Sequence, residues 1–309
     1  MAALKFESGY TCAGARIHTW HCGIAGFGYT FFNSEIRTFG YPIGIDEFSG
    51  RVEDLYAQPL LFEPGTNINY GTNIDCVGII VEKATGMSLE GYIRKFIFAP
   101  LNMKNATFFP TEEQKSRLVH MSQRAPDGSI TDGSITGREH VFRLPLVVNS
   151  EEQENIFYSG GCGCYGEPKE FTNIISMLLS SGSSPITGAQ LLQPETVDQM
   201  FTNQIPQWTN FGRTPIITGR PEYANSVAEL YPQPHDQPQG FGLTIFLTIK
   251  DRATGRGKNT GFWGGPPNLF WWVDRERGVS SIVGGQLVPF VDSHVIATWA
   301  KVETLLYQG

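Results

Sequence analysis

The stretch "FEPGTNINYGTNIDCVGIIVEKATGMSLEGYIRKFIFAPLNM", residues 62–103, decides how this chain is read. Glu63-Pro64-Gly65-Thr66 is turn punctuation, since proline presets φ and glycine accepts positive φ. After it Ile74, Val77, Gly78, Ile80 and Val81 recur at helical spacing, and Gly86 supplies a C-cap. Ser88 is a suitable N-cap for a second helix to Ile97, with Leu89, Tyr92, Ile93 and Phe96 as its apolar face. Tyr70 therefore stands in a tight turn just before a helix. A phenol held there invites a search for the group it would serve.

Working outward, residues 1–30 read as irregular, and 41–62 fit one short helix or two. Asp-Gly-Ser-Ile-Thr occurs twice in tandem within 123–137, which predicts a hairpin or exposed loop because Asp-Gly favours tight turns. Residues 158–166, "YSGGCGCYG", form a closely packed or flexible loop. Phe171–Leu179 and Pro194–Phe201 read as helices, the second with Met200 inward, and proline-rich 205–238 as a wandering surface segment. Gly240–Ile249, Asn268–Asp274 and Val279–Gly284 read as three strands, with a hairpin at 274–278. Val291–Tyr307 closes the chain as a helix. Helices in the middle and antiparallel strands at the end predict an α+β fold. We treat 1–309 as a single domain with a mainly helical part, 60–200, and a C-terminal part of strands and closing helix, 240–309.

Composition narrows the function. The chain has 309 residues, 40% hydrophobic and 17% charged, which is globular rather than disordered. A net charge of −7 without a basic patch argues against nucleic acid as a partner. No apolar run approaches the length of a membrane span or a signal-peptide core. These features predict a soluble, cytoplasmic protein with no membrane partner. Cysteines at 12, 22, 76, 162 and 164 make a poor disulfide framework, and Cys162-Gly163-Cys164 lacks a second Cys/His pair at zinc spacing. His18 and His21 have no third ligand nearby, so no metal is expected. There is no Gly-x-Ser-x-Gly elbow, no phosphate-binding glycine loop and no His-Glu-x-x-His.

Several segments, in order, carry a resemblance. "GIAGFGYTFFN" (23–33), "PLLFEPGTNINYGTNIDCVGIIVEKATG" (59–86), "PLNMKNATF" (100–108), "YSGGCGCYG", "LLQPETVDQMF" (191–201) and "FWGGPPNLFWWVDRERGV" (262–279) together resemble the serine β-lactamase-like and penicillin-binding-protein-like family, in its fungal esterase and acyltransferase branch. The resemblance implies a β-lactamase/transpeptidase-like fold: an antiparallel sheet flanked by helices, plus a helical region. It implies acyl transfer from a small-molecule ester or thioester to water or an alcohol, without cofactor or metal. By resemblance Tyr70 is the general base, and Thr72, in the third place of its motif where Asn or Ser is common, is a substrate-binding residue. Trp263, Gly264 and Gly265 line the substrate cleft on an edge strand. A phenol suits the base role only if cations lower its pKa.

Two departures qualify this. The family's nucleophile is a Ser-x-x-Lys pair, which one helical turn brings onto one face. No serine in this sequence has lysine three residues on; Lys5-Phe6-Glu7-Ser8 holds the pair reversed. The family pattern also places that motif upstream of 23–33, so the chain reads as truncated at its N-terminus, without the first strands and the nucleophile helix. An exposed sheet edge would then offer a route to oligomers. Second, the residue after Trp263-Gly264-Gly265 is Pro266, which has no N–H to give an oxyanion. Losing one such donor costs about 10²–10³ in rate. The lineage is thus serine esterase or acyltransferase with impaired activity expected in this chain. The alternative is a non-catalytic binding or scaffold protein that keeps the cleft.

Overall fold

The computed structural model describes residues 23–132, 156–229 and 233–308. Lys5, Ser8, Cys12, His18, His21, Cys22, His140 and most of the second Asp-Gly-Ser-Ile-Thr copy lie outside them. The first half contains short helices α1 (Ser34–Gly40) and α2 (Val52–Tyr56), then α3 (Asn73–Thr85) and α4 (Leu89–Ile93). Gly86 ends α3 at φ 68°, and Ser88 Oγ caps α4 by accepting from the Gly91 N–H at 3.1 Å. α4 runs on as a π-helical turn over Arg94–Phe98. That wider turn shifts the phase of the apolar face. Phe96, expected inward, is 46% exposed, and Phe98 takes the core position.

Helix α5 (Glu112–Ser116) precedes the hairpin of β1 (Ser122–Arg124) and β2 (Ile130–Asp132), which closes at Gly128 with φ 87°. Helices α6 (Pro168–Leu179) and α7 (Pro194–Met200) follow, each opened by a proline whose missing N–H costs nothing there. Residues 205–229 hold isolated bridges only, Ile216 to Val227 and Ala224 to Phe290.

The main sheet is a five-stranded antiparallel meander: β3 (Gly240–Phe241), β4 (Phe246–Leu247), β5 (Gly261–Gly265), β6 (Leu269–Asp274) and β7 (Val279–Gly284). Two expectations need correction. The single strand read over 240–249 is two strands broken by a turn, where Gly242 N–H bonds Ile245 O at 2.8 Å and Thr244 takes φ 69°. Trp263 does not lie on an edge strand, because β5 is third of five. β4 covers only Gly261 and Phe262, however, so the length of β5 from Trp263 onward has no partner on that side. β8 (Leu287–Val288) joins β1 in parallel, and α8 (Ser293–Gln308) ends the described chain.

Strand alternation sends neighbouring side chains of β6 to opposite faces. Trp271 meets Phe171 of α6, while Phe270 stacks on Trp299 of α8 with centroids 4.7 Å apart. Trp272 and Val273, pointing to opposite faces, are both completely buried. On the α6 side the core gathers Leu101, Ile175, Leu178, Val197, Leu247 and Val273. β7 pairs only with β6, so it forms one edge of this sheet among the described residues.

Candidate active site

Tyr70 is placed by backbone packing. A Cβ on Gly71 would lie 2.4 Å from Phe27 O, so only glycine lets the turn press against residues 27 and 28. Asn69 ties the same pieces together, donating from Nδ2 to Phe27 O at 3.0 Å and to Tyr70 O at 2.9 Å. The Tyr70 ring then packs with Tyr29 and Phe32, at centroid distances of 5.3 and 6.2 Å. Trp263 approaches from the sheet, its ring centroid 5.2 Å from that of Tyr70. Both side chains line one cavity of about 260 Å³.

Gly264 and Pro266 also line this cavity. A Cβ on Gly264 would come 2.7 Å from the Phe270 ring, which makes that position glycine by close approach. Thr72 and Gly265 do not reach the cavity wall. Thr72 is 2% exposed at the N-cap of α3, where its Oγ1 has no hydrogen-bond partner among the described residues.

Cys162, to which the sequence assigns no role, also lines the cavity. Behind it lies a buried polar chain. Ser159 Oγ–H donates to Asp75 Oδ1 at 2.5 Å, and the Gly161 N–H donates to the same oxygen at 3.1 Å. Ser159 Oγ accepts from the Cys162 N–H at 3.1 Å. Its proton being committed to Asp75, the contact of 3.1 Å to Cys162 Sγ is one in which the thiol donates. Asp75 lies in the first turn of α3, five residues past Tyr70.

The electrostatics of this wall are uniform in sign. Burial, then Cys162 and Asp75, push the Tyr70 phenol well above its ordinary pKa. Burial and Asp75 do the same to the Cys162 thiol. Burial raises the Asp75 carboxyl, against the bonds from Ser159 and Gly161. None of these shifts comes from a cation. In this environment Tyr70 is a neutral phenol, able to donate a hydrogen bond and unsuited to take a proton until a positive charge comes beside it. Among the described residues no three or more His, Cys, Asp or Glu converge on a metal-sized site. No described helix is long and apolar enough to cross a membrane.

Comparison with known proteins places the chain. The Beta-lactamase family model matches residues 25–296. The chain belongs to that family. It is 28% identical over 250 residues to a lovastatin esterase of Penicillium rubens, covering 80% of this chain and 57% of that protein. It is 26% identical over 273 residues to a monacolin J acid methylbutanoyltransferase of Aspergillus terreus, covering 87% and 61% respectively. The chain thus spans about three fifths of the length of these relatives. A simvastatin synthase structure from Aspergillus terreus superposes with TM-score 0.72 at 25% identity, covering 98% of this chain and 70% of that one. The α+β architecture agrees with these neighbours.

Proposed function

We propose that the cavity between Tyr70 and Trp263 binds the acyl part of a small ester or thioester, in the service of acyl transfer to water or an alcohol. The observation that carries this reading is the shared cavity itself: a phenol and an indole 5.2 Å apart in an aromatic chamber. The esterase and acyltransferase relatives support it. In such a reaction a serine Oγ forms a bond to the acyl carbon, the alkoxide or thiolate leaves with a proton, and water or an alcohol then takes the acyl group from serine. Tyr70 is the proton acceptor in this scheme once a lysine ammonium stands beside it and lowers its pKa. No cofactor is needed.

The 309 residues hold no Ser-x-x-Lys, so we expect this chain by itself to bind and not to turn over. The same feature, with Pro266 at the cavity wall, favours a second reading, a non-catalytic binding protein. Two measurements test these. A neutral medium-chain ester titrated against tryptophan fluorescence should saturate, and Trp263→Ala should weaken it by about tenfold or more, as expected for an aromatic anchor. Affinity unchanged in both Trp263→Ala and Tyr70→Phe would remove the cavity from consideration. Incubation with a fluorophosphonate should label no serine. Stoichiometric labelling would make the isolated chain an active enzyme and end the second reading.

A further inference from the structure

The cavity does not stop at Trp263. Phe262 and Trp263 are adjacent on β5 and so point to opposite faces, yet both line the cavity. It therefore continues round the uncovered edge of β5 toward α8. Aromatic contacts mark the way: Trp263 to Phe246 at 4.5 Å, Phe246 to Phe262 at 5.6 Å, then Phe262 to the Arg256 guanidinium at 4.4 Å. At that far end the lining changes from rings to charges, with Arg252, Thr254, Arg256 and Glu303.

The charges there are unevenly matched. Arg256 is 2% exposed, and its Nε and Nη1 donate no hydrogen bond among the described residues. Glu303 Oε2 is 3.3 Å from Nη1, close enough to share charge but not aligned to accept the proton. Glu303 Oε1 already accepts the Thr254 hydroxyl. Arg252 brings a second guanidinium to the same wall. The nearby Asp274 is taken by the Gly257 N–H, the Arg277 N–H and the Tyr307 hydroxyl. Glu229, also in the cavity wall, is paired with Arg213, with His235 Nε2 2.9 Å from its other oxygen. One carboxylate, Glu303, therefore faces two guanidiniums at this end of a mainly aromatic chamber. Buried donors without acceptors are costly, and a planar carboxylate fits the guanidinium fork.

We propose that the Arg252–Arg256 end of the cavity is a carboxylate-binding subsite, which selects acyl substrates carrying a free acid at the end remote from the ester. This rests on reading the cavity as an acyl-binding site. A dicarboxylic half-ester would lay its alkyl chain along the aromatic passage, with its ester near Tyr70 and Trp263 and its carboxylate on the two arginines.

The test is binding, so it needs no turnover. Monomethyl suberate and dimethyl suberate are titrated against the purified chain by tryptophan fluorescence and calorimetry. The half-ester should bind about tenfold or more tightly, the size expected for a charge-assisted hydrogen bond. Arg252→Gln should reduce that preference and Arg256→Met should abolish it, each leaving affinity for the diester within about twofold. If Arg256→Met fails to fold, Arg252→Gln decides. Equal affinities for the two esters, or a preference that survives both variants, would overturn the subsite. So would acetate or sulfate competing at the same concentration as the half-ester, which would indicate an adventitious ion only. Trp263→Ala separates the two levels of inference. It should weaken both esters together, and failure to do so counts against the cavity reading rather than against the arginines alone.

Discussion

Asp75 and Asp292 are buried to a similar degree, 5% and 2% exposed, and each accepts a backbone N–H, yet their pKa values are shifted in opposite directions. At Asp292, burial would raise the pKa, but Arg124 bonds both carboxylate oxygens and the His294 and Val295 N–H groups at the start of α8 add to it. The balance falls below the ordinary carboxylate value. At Asp75, only Ser159 and Gly161 answer, both neutral, and burial wins. Burial sets the cost of a charge, and the presence of a cation decides whether the charge is kept. Asp292 anchors β1 to α8, a structural joint. Asp75 lies behind Tyr70 and Cys162, where no cation opposes the upward shifts that burial gives the carboxyl, the phenol and the thiol.

Removing one partner of the paired joint should have the largest effect. Asp292→Ala leaves Arg124 unmatched and uncaps α8, with an expected loss of about 3–5 kcal/mol in urea unfolding. A loss under about 1 kcal/mol would mean that the pair is not what holds the joint. Asp75→Ala leaves Ser159 and Gly161 without an acceptor and should cost about 1–3 kcal/mol in the same experiment. If it costs more than Asp292→Ala, the two sites have been ranked wrongly.

Local rules made part of this legible. Gly86, Ser88 and the hairpin at 274–278 were readable because each feature is encoded within a few residues. α+β class followed from the order of elements, and the order of motifs pointed to the family. β5 was absent from the propensity reading, because Gly261, Gly264 and Gly265 suppress strand signal, and the first two are glycine for what packs against them. The π-turn over Arg94–Phe98 carries no pattern in sequence, which is why Phe96 was assigned inward. The cavity's polar wall was invisible, since Asp75 and Ser159 are 84 positions apart and meet only when α3 and the 159–162 loop fold together. Pairing Tyr70 with Trp263 needed the resemblance, and only the folded chain reveals that Thr72 turns away from the cavity they share.

The two carboxyls should also differ in the sign of their pH dependence. Asp75 has a raised folded pKa. As pH climbs through the unfolded value near ~3.9, the unfolded chain gives up its proton first, so stability falls until the folded pKa is passed. Asp292 has a lowered folded pKa, so its contribution is present above the unfolded value and is lost as pH falls through the folded one. Unfolding curves of Asp75→Asn between pH 3 and 7, compared with wild type, should therefore lose a downward slope toward neutrality, while Asp292→Asn should lose an upward one. Matching slopes in the two variants would erase the distinction.

The smallest effect is the most local. The Cys162 thiol is raised first by burial and second by Asp75, and it reacts only as thiolate. Asparagine at position 75 keeps the burial and removes the charge, so iodoacetamide at pH 8.5 should alkylate Cys162 a few-fold faster in Asp75→Asn, on the order of a partial pKa unit. Asp292→Asn removes an equal charge from the other joint and should leave the rate as in wild type. The rate is read from the Cys162 peptide by mass spectrometry, with the urea-unfolded chain setting the upper limit. Equal acceleration in both variants would trace the change to loosened structure. Acceleration in Asp75→Asn alone ties the cavity thiol to the unpaired carboxyl behind it.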